Sequence, residues 1–137
     1  MKVYIVTGAS KGLGAELARQ FADRETLIIG ISRSKNVKVE RAVEEAGAEV
    51  LWHEIDLSDT AGLIKNAPGL FPLPFKIGHP EEIALINNAA TVEPVGFSGV
   101  FDTRKAAAAV SLNVSAVIIM CSFFISTYRW RPARKKI

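Results

Sequence analysis

Residues 4–14 read YIVTGASKGLG. The β-branched run at 2–8 ends in Gly8, and Leu13, Leu17, Ala18 and Phe21 follow at helical spacing. This spacing predicts a buried strand that turns through glycines directly into a helix. Gly8, Gly12 and Gly14 stand in the turn. A tight strand-to-helix turn calls for positive φ, which glycine adopts at little cost. A residue without a side chain also lets a pyrophosphate come close to the backbone. The first N–H groups of the helix and the positive end of its dipole then face that anion. A glycine cluster alone is a weak signal, but a strand before it and a helix after it make a nucleotide-binding signature.

The alternation continues outward. TLIIGISR (26–33) reads as a second strand. Val39, Ala42, Val43 and Ala46 line one side of a second helix, which Gly47 stops. AEVLWHEID (48–56) and IALINNAA (83–90) read as third and fourth strands, and a long helix is expected over about 102–127. Strand–helix–strand order implies a parallel sheet with right-handed crossovers and helices on both faces. One segment breaks the rhythm: NAPGLFPLPFKIGHP (66–80), with Pro68, Pro72, Pro74 and Pro80. Proline inside a helix costs about 3 kcal/mol, so a helix there is held to 60–67, with an irregular loop after it.

At 137 residues the chain is expected to be one domain. Hydrophobic residues make up 49% and charged ones 23%, which excludes a disordered chain. The single cysteine, Cys121, excludes an internal disulfide framework and fits a reducing, cytoplasmic compartment. The apolar run at 3–6 is too short for a signal peptide. SAVIIMCSFFI (115–125) is the most apolar stretch; it falls short of the ~20 residues of a bilayer span and reads as a buried helix, with no membrane expected. The net charge of +3 is unevenly placed: five of the 17 basic residues, Arg129, Arg131, Arg134, Lys135 and Lys136, lie in 129–137. The other 12 face 14 acidic residues, so the body is mildly acidic. A short basic tail can touch phosphate or lipid, but no aromatic platform accompanies this one, and nucleic acid is not an expected partner. The bland reading of the tail is a solvated chain segment.

The identity of the nucleotide turns on the end of the second strand, about 20 residues past the glycine loop. A site for NAD usually has an acidic residue there, on the ribose 2′-hydroxyl. This chain has Ser32, Arg33 and Ser34. A carboxylate repels a 2′-phosphate; a guanidinium attracts it and stacks on a base. Lys11 in the loop adds a second cation. Two cations and no acid favour NADP(H).

With these residues in place, the chain resembles the short-chain dehydrogenases/reductases, which use NAD(P)(H) on carbonyls and alcohols. TGASKGLG (7–14) is similar to the family's T-G-x-x-x-G-x-G loop and brings Ser10 and Leu13 into the expected cofactor site beside Gly8, Lys11, Gly12 and Gly14. DLSD (56–59) follows the third strand, where the family places an aspartate beside the adenine, so Asp56 and Leu57 are expected there. NNAA (87–90) resembles the family's N-N-A-G, with Ala90 for the glycine, and implies cofactor contacts from Asn88, Ala89 and Ala90. SLNVS (111–115) places Asn113 where the family has the asparagine of its catalytic tetrad. The bland alternatives are that Asn87 and Asn88 cap a strand end, that Asp56 forms a turn and that Asn113 is a helix-surface amide. The resemblance is strongest to sepiapterin-reductase-like and benzil-reductase-like members. It implies a Rossmann-type doubly wound parallel sheet of about four strands, order 3-2-1-4, C-terminally incomplete, over 1–137.

The family's tetrad also needs a tyrosine, a lysine four residues later, and a serine on a fifth strand. Four residues after Tyr4 is Gly8, and four after Tyr128 is Pro132. YRWRPARKKI (128–137) reads as the linker to the fifth strand, and no fifth strand is expected. Residues 83–87 would then form a sheet edge, through which the chain is expected to self-associate as a homo-oligomer. The expected activity is that of an NADP(H)-dependent oxidoreductase on a small carbonyl substrate, in a truncated chain that is inactive alone. The alternatives are a non-catalytic NADP(H)-binding module and a binder of nucleic acid or membrane through the tail. His53 and His79 have no metal-ligand spacing, and Cys121 reads as core rather than nucleophile.

Overall fold

Strands β1 (Lys2–Thr7) and β2 (Thr26–Ser32) are almost wholly buried, because the sheet they form is covered on both faces. The computed structural model describes residues 1–71 and 79–137. After β1 come α1 (Gly12–Gln20), β2, α2 (Val37–Glu45), β3 (Glu49–Glu54), α3 (Thr60–Leu70) and β4 (Glu82–Ile86). Then follow α4 (Thr103–Val110), a π-helical turn (Ser111–Ser115), α5 (Ala116–Tyr128) and β5 (Arg134–Lys136). The strands are all parallel, in the order β3-β2-β1-β4-β5. The expected 3-2-1-4 sheet is thus present, extended by one strand.

Alternating residues build the two sides. Val3, Ile5, Leu27, Ile29 and Ile31 face α3 and α5; Ile28 faces Ala15 and Ala18 of α1 and Val39 and Val43 of α2. On the first side Phe71, Phe124 and Tyr128 meet edge to face, with ring centroids 5.3–6.3 Å apart.

Three expectations are corrected. A fifth strand exists: Arg134, Lys135 and Lys136 pair with Glu82, Ile83 and Ala84. It covers Ile83 and Ala84 of the edge expected at 83–87. Its cause is Glu82, only 3% exposed, whose Oε2 accepts from Arg134 Nε at 2.7 Å and pairs with Lys136 Nζ at 2.9 Å. A buried carboxylate needs partners, and residues two apart on one strand supply both on one face. Second, α3 runs past residue 67 and through Pro68. Leu63, Ala67 and Leu70 lie on one buried face, with Phe71 buried next to them; Pro68 is exposed, so the carbonyl it leaves unbonded can take water. The loop expected after this helix, with Pro72 and Pro74, lies at 72–78, outside the described residues.

Third, the apolar run at 115–125 is not a wholly buried helix. It belongs to one 26-residue helical rod, Thr103–Tyr128, long and apolar enough to cross a membrane by length and composition alone. A core helix passes the same test, and this one packs a single face: Ala116, Met120, Phe124 and Tyr128 are buried at four-residue intervals. Val110, Val114, Ile118 and Ile125 point outward, each at least half exposed. The apolar composition therefore reports a helix with one packed and one open face.

Candidate cofactor site

The strands of a parallel sheet present their carboxyl ends together, and a crevice opens where the strand order reverses, here between β1 and β4. A cleft of about 740 Å³ lies at those ends. It is lined by the loops after β1, β2, β3 and β4 and by one side of α4 and the π-helical turn.

Each glycine in the first loop has its own reason. Gly8 and Gly12 have φ of +69° and +56°, where residues with side chains are strained. Gly14 has ordinary φ but no room: a Cβ there would run into the Gly8 carbonyl and the Asn88 amide. There α1 packs directly on the loop backbone. The N-terminus of α1 has no side-chain cap, whereas Asn36, Asp59 and Asp102 cap α2, α3 and α4. Its first N–H groups are thus left for an anion.

Thr7 ties the first and fourth loops together. Its hydroxyl donates to the Ile86 carbonyl at 3.3 Å and accepts from the N–H groups of Asn88 and Ala89 at 2.9 and 3.0 Å. The Asn88 side-chain amide returns to the Thr7 carbonyl at 3.0 Å. Asn88 therefore fixes the loop junction as well as lining the cleft. Asn87 is not on the cleft wall; its amide donates to Cys121 Sγ at 3.4 Å, so Cys121 is half-buried against the strand end.

Of the residues expected to hold cofactor, Gly8, Ser10, Lys11, Gly12, Arg33, Ser34, Asp56, Leu57, Asn88, Ala89 and Ala90 line the cleft together. Leu13 and Gly14 do not: Leu13 is 68% exposed, and Gly14 is buried beneath the loop. Asn113 also lies off the cleft wall. It sits in the π-helical turn and grips Thr91, accepting from its N–H at 2.9 Å and donating to its carbonyl at 2.7 Å. Both polar ends of its amide are thereby used in holding the 87–93 loop to the helix.

Charge around the cleft is mixed. Among the described residues, Lys11 and Arg33 are in no ion pair, and both are exposed to the cleft. The Asp56 carboxyl is held below its usual range, first by the Ser58 hydroxyl at 2.7 Å and the Ser58 N–H at 2.9 Å, and also by Arg33 nearby. Lys105 reaches Glu93 at 2.9 Å at the rim, and that carboxylate raises the pKa of the ammonium.

Sequence reading missed Ser32, Ile55, Ser58, Thr91, Glu93, Lys105, Ala108, Ala109 and Leu112 as cleft residues. Ala108 and Ala109 belong to a run that reads as plain helix former; only the packing of the rod against the fourth loop brings them to the cleft. Neither tyrosine is there. Tyr4 stacks on Phe21 at 4.6 Å, and Tyr128 is fully buried below the sheet, where burial pushes its hydroxyl well above the usual pKa.

Known proteins share this arrangement. Benzil reductase ((S)-benzoin forming) of Bacillus cereus is 30% identical over 138 residues, covering 100% of this chain and 55% of that protein. Sepiapterin reductase of Mus musculus is 28% identical over 143 residues, covering 98% and 54%. The chain thus spans about half the length of these curated relatives. A short-chain dehydrogenase/reductase of Burkholderia vietnamiensis superposes with a TM-score of 0.84 at 30% identity, covering 98% of this chain and 60% of that one. Neighbours of the same fold bind nicotinamide cofactors: one was solved with NADP, others with NAD. The model of the short chain dehydrogenase family matches residues 2–133. The chain belongs to the short-chain dehydrogenase family of oxidoreductases.

Proposed function

We propose that residues 1–137 form the dinucleotide-binding domain of an NADP(H)-dependent short-chain oxidoreductase that reduces a small carbonyl compound. The observation that carries this reading is the pair Lys11 and Arg33. Both cations line the cleft without an ion-pair partner among the described residues, and no acid occupies the end of β2. The α1 N-terminus would hold the pyrophosphate, and Asp56, Leu57 and Ala89 would border the adenine. Bound there, the nicotinamide supplies the hydride. The residues that this chain itself provides bind and orient. Its two tyrosines lie away from the cleft, and neither is followed four residues later by lysine. These 137 residues alone therefore bind cofactor without turnover, as the reading of a non-catalytic binding module also holds.

Asn113 acts by positioning, through Thr91, rather than by touching substrate. The single cysteine supports a reducing, cytoplasmic setting. The open apolar face of α5 supports association with a second copy, which sedimentation over a tenfold range of concentration would reveal. The direct test of the function is a fluorescence titration of the purified chain. Saturable binding of NADPH, tighter than that of NADH, is expected. No binding, or tighter binding of NADH, would refute the reading.

A further inference from the structure

One side chain joins the two loops that carry the candidate phosphate-reading cations. Asn36 Oδ1 caps α2, accepting from the N–H groups of Lys38 and Val39 at 3.1 and 3.3 Å. Asn36 Nδ2 donates to the Ser10 carbonyl at 2.6 Å, across 26 residues of sequence. Ser10 immediately precedes Lys11. The loop that Asn36 closes is held at its other end too. Trp52 Nε1 donates to Ser32 Oγ at 3.0 Å, and Ser32 Oγ donates to the Ser34 carbonyl at 2.8 Å. The Lys35 N–H donates to Glu54 Oε2 at 3.1 Å. Between these pins stand Arg33 and Ser34, both of which line the cleft.

We propose that Asn36 is a positioning residue. It locks the glycine loop to the β2–α2 loop, so that Lys11 and Arg33 converge on one phosphomonoester, the cofactor's 2′-phosphate. This rests on the NADP(H) reading above. Both cations are long, exposed side chains whose separate attraction for an anion in water is small. They act together only if their backbones keep a fixed separation before the ligand arrives. The Asn36 amide is the one direct hydrogen bond between the two loops among the described residues. The helix-capping half of the same side chain anchors it to a rigid element, so the spacing is set by α2 and not by the loops themselves.

Asn36→Ser separates the two halves of the role. Serine keeps a good cap for α2 but is too short to reach Ser10. NADPH and NADH affinities are measured for the wild type and the variant, together with thermal melting. The expected result is melting within about 2 °C of wild type, an NADPH affinity about fivefold lower, and an unchanged NADH affinity. An unchanged NADPH-to-NADH ratio in the variant, beside a wild type that prefers NADPH, overturns the proposal alone. Equal weakening of both cofactors also overturns it, because that is what a merely structural role produces. A wild type with no NADPH preference refutes the underlying reading, and this inference falls with it.

Discussion

Glu82 and Arg134 meet across a parallel strand pair, Oε2 to Nε at 2.7 Å, with the carboxylate buried and the guanidinium largely exposed. Tyr4 donates to the other carboxylate oxygen at 3.3 Å, and Lys136 shares Oε2. The Lys136 ammonium, then the Arg134 guanidinium, hold the Glu82 pKa below its usual value against the opposing effect of burial. A depressed folded-state pKa gives stability that is full above the ordinary glutamate value. That stability is lost as pH falls through the depressed one. Glu82→Gln is expected to cost on the order of 1–2 kcal/mol at neutral pH and to free β5, since its cations rehydrate easily. Amide exchange of Lys135 and Lys136, fast in the variant and slow in the wild type, checks this. Equal exchange in both would mean that Glu82 does not hold the strand.

Gly14 and Gly12 separate room from backbone freedom. Gly14→Ala puts a methyl group against the Gly8 carbonyl and the Asn88 amide, and is expected to cost about 1–3 kcal/mol. Gly12→Ala meets open space and pays only for its positive φ, about 1 kcal/mol. Chemical denaturation of both variants should rank them in that order.

Pro68 sits on the exposed face of α3 and leaves the Ile64 carbonyl without its helical donor. Pro68→Ala restores the bond at the cost of a more flexible unfolded chain, so a net gain of about 1 kcal/mol is expected. A lower melting temperature in this variant would contradict the account of why the helix continues.

Asn113→Ala removes both bonds to Thr91 and loosens the loop that carries Asn88, Ala89 and Ala90. Helix content by circular dichroism should stay the same, while affinity for either cofactor falls about fivefold. The loss should be equal for NADPH and NADH, because the loop borders parts common to both. Selective loss of NADPH binding would place Asn113 in the wrong role.

The parallel sheet was legible because β1, β2 and β4 are continuous apolar runs, the form a strand takes when both its faces are covered. The glycine loop was legible because positive φ and close approach leave glycine as the cheap residue. β5 was not legible: Arg-Lys-Lys has no apolar pattern, and its partner Glu82 lies 52 residues earlier. The extent of α3 was misjudged because proline cost was counted without the burial of Leu70 and Phe71. The far wall of the cleft was invisible for the same kind of reason. Thr91 is placed by Asn113, 22 residues on, and Lys105 by Glu93, 12 residues back. Residues placed by long-range partners leave no local signal.

The most direct test of the central claim compares NADPH and NADH binding in the wild type and in Arg33→Ala. Arg33 forms no ion pair among the described residues, and the carboxylate nearest its charge, Asp56, keeps its two Ser58 hydrogen bonds when Arg33 is removed. The account predicts that the NADPH preference falls roughly ten- to a hundredfold while NADH binding is retained, since one charge-assisted contact is worth roughly 1.5–3 kcal/mol and each 1.4 kcal/mol is about a factor of ten. A preference for NADPH that survives intact in Arg33→Ala would contradict it.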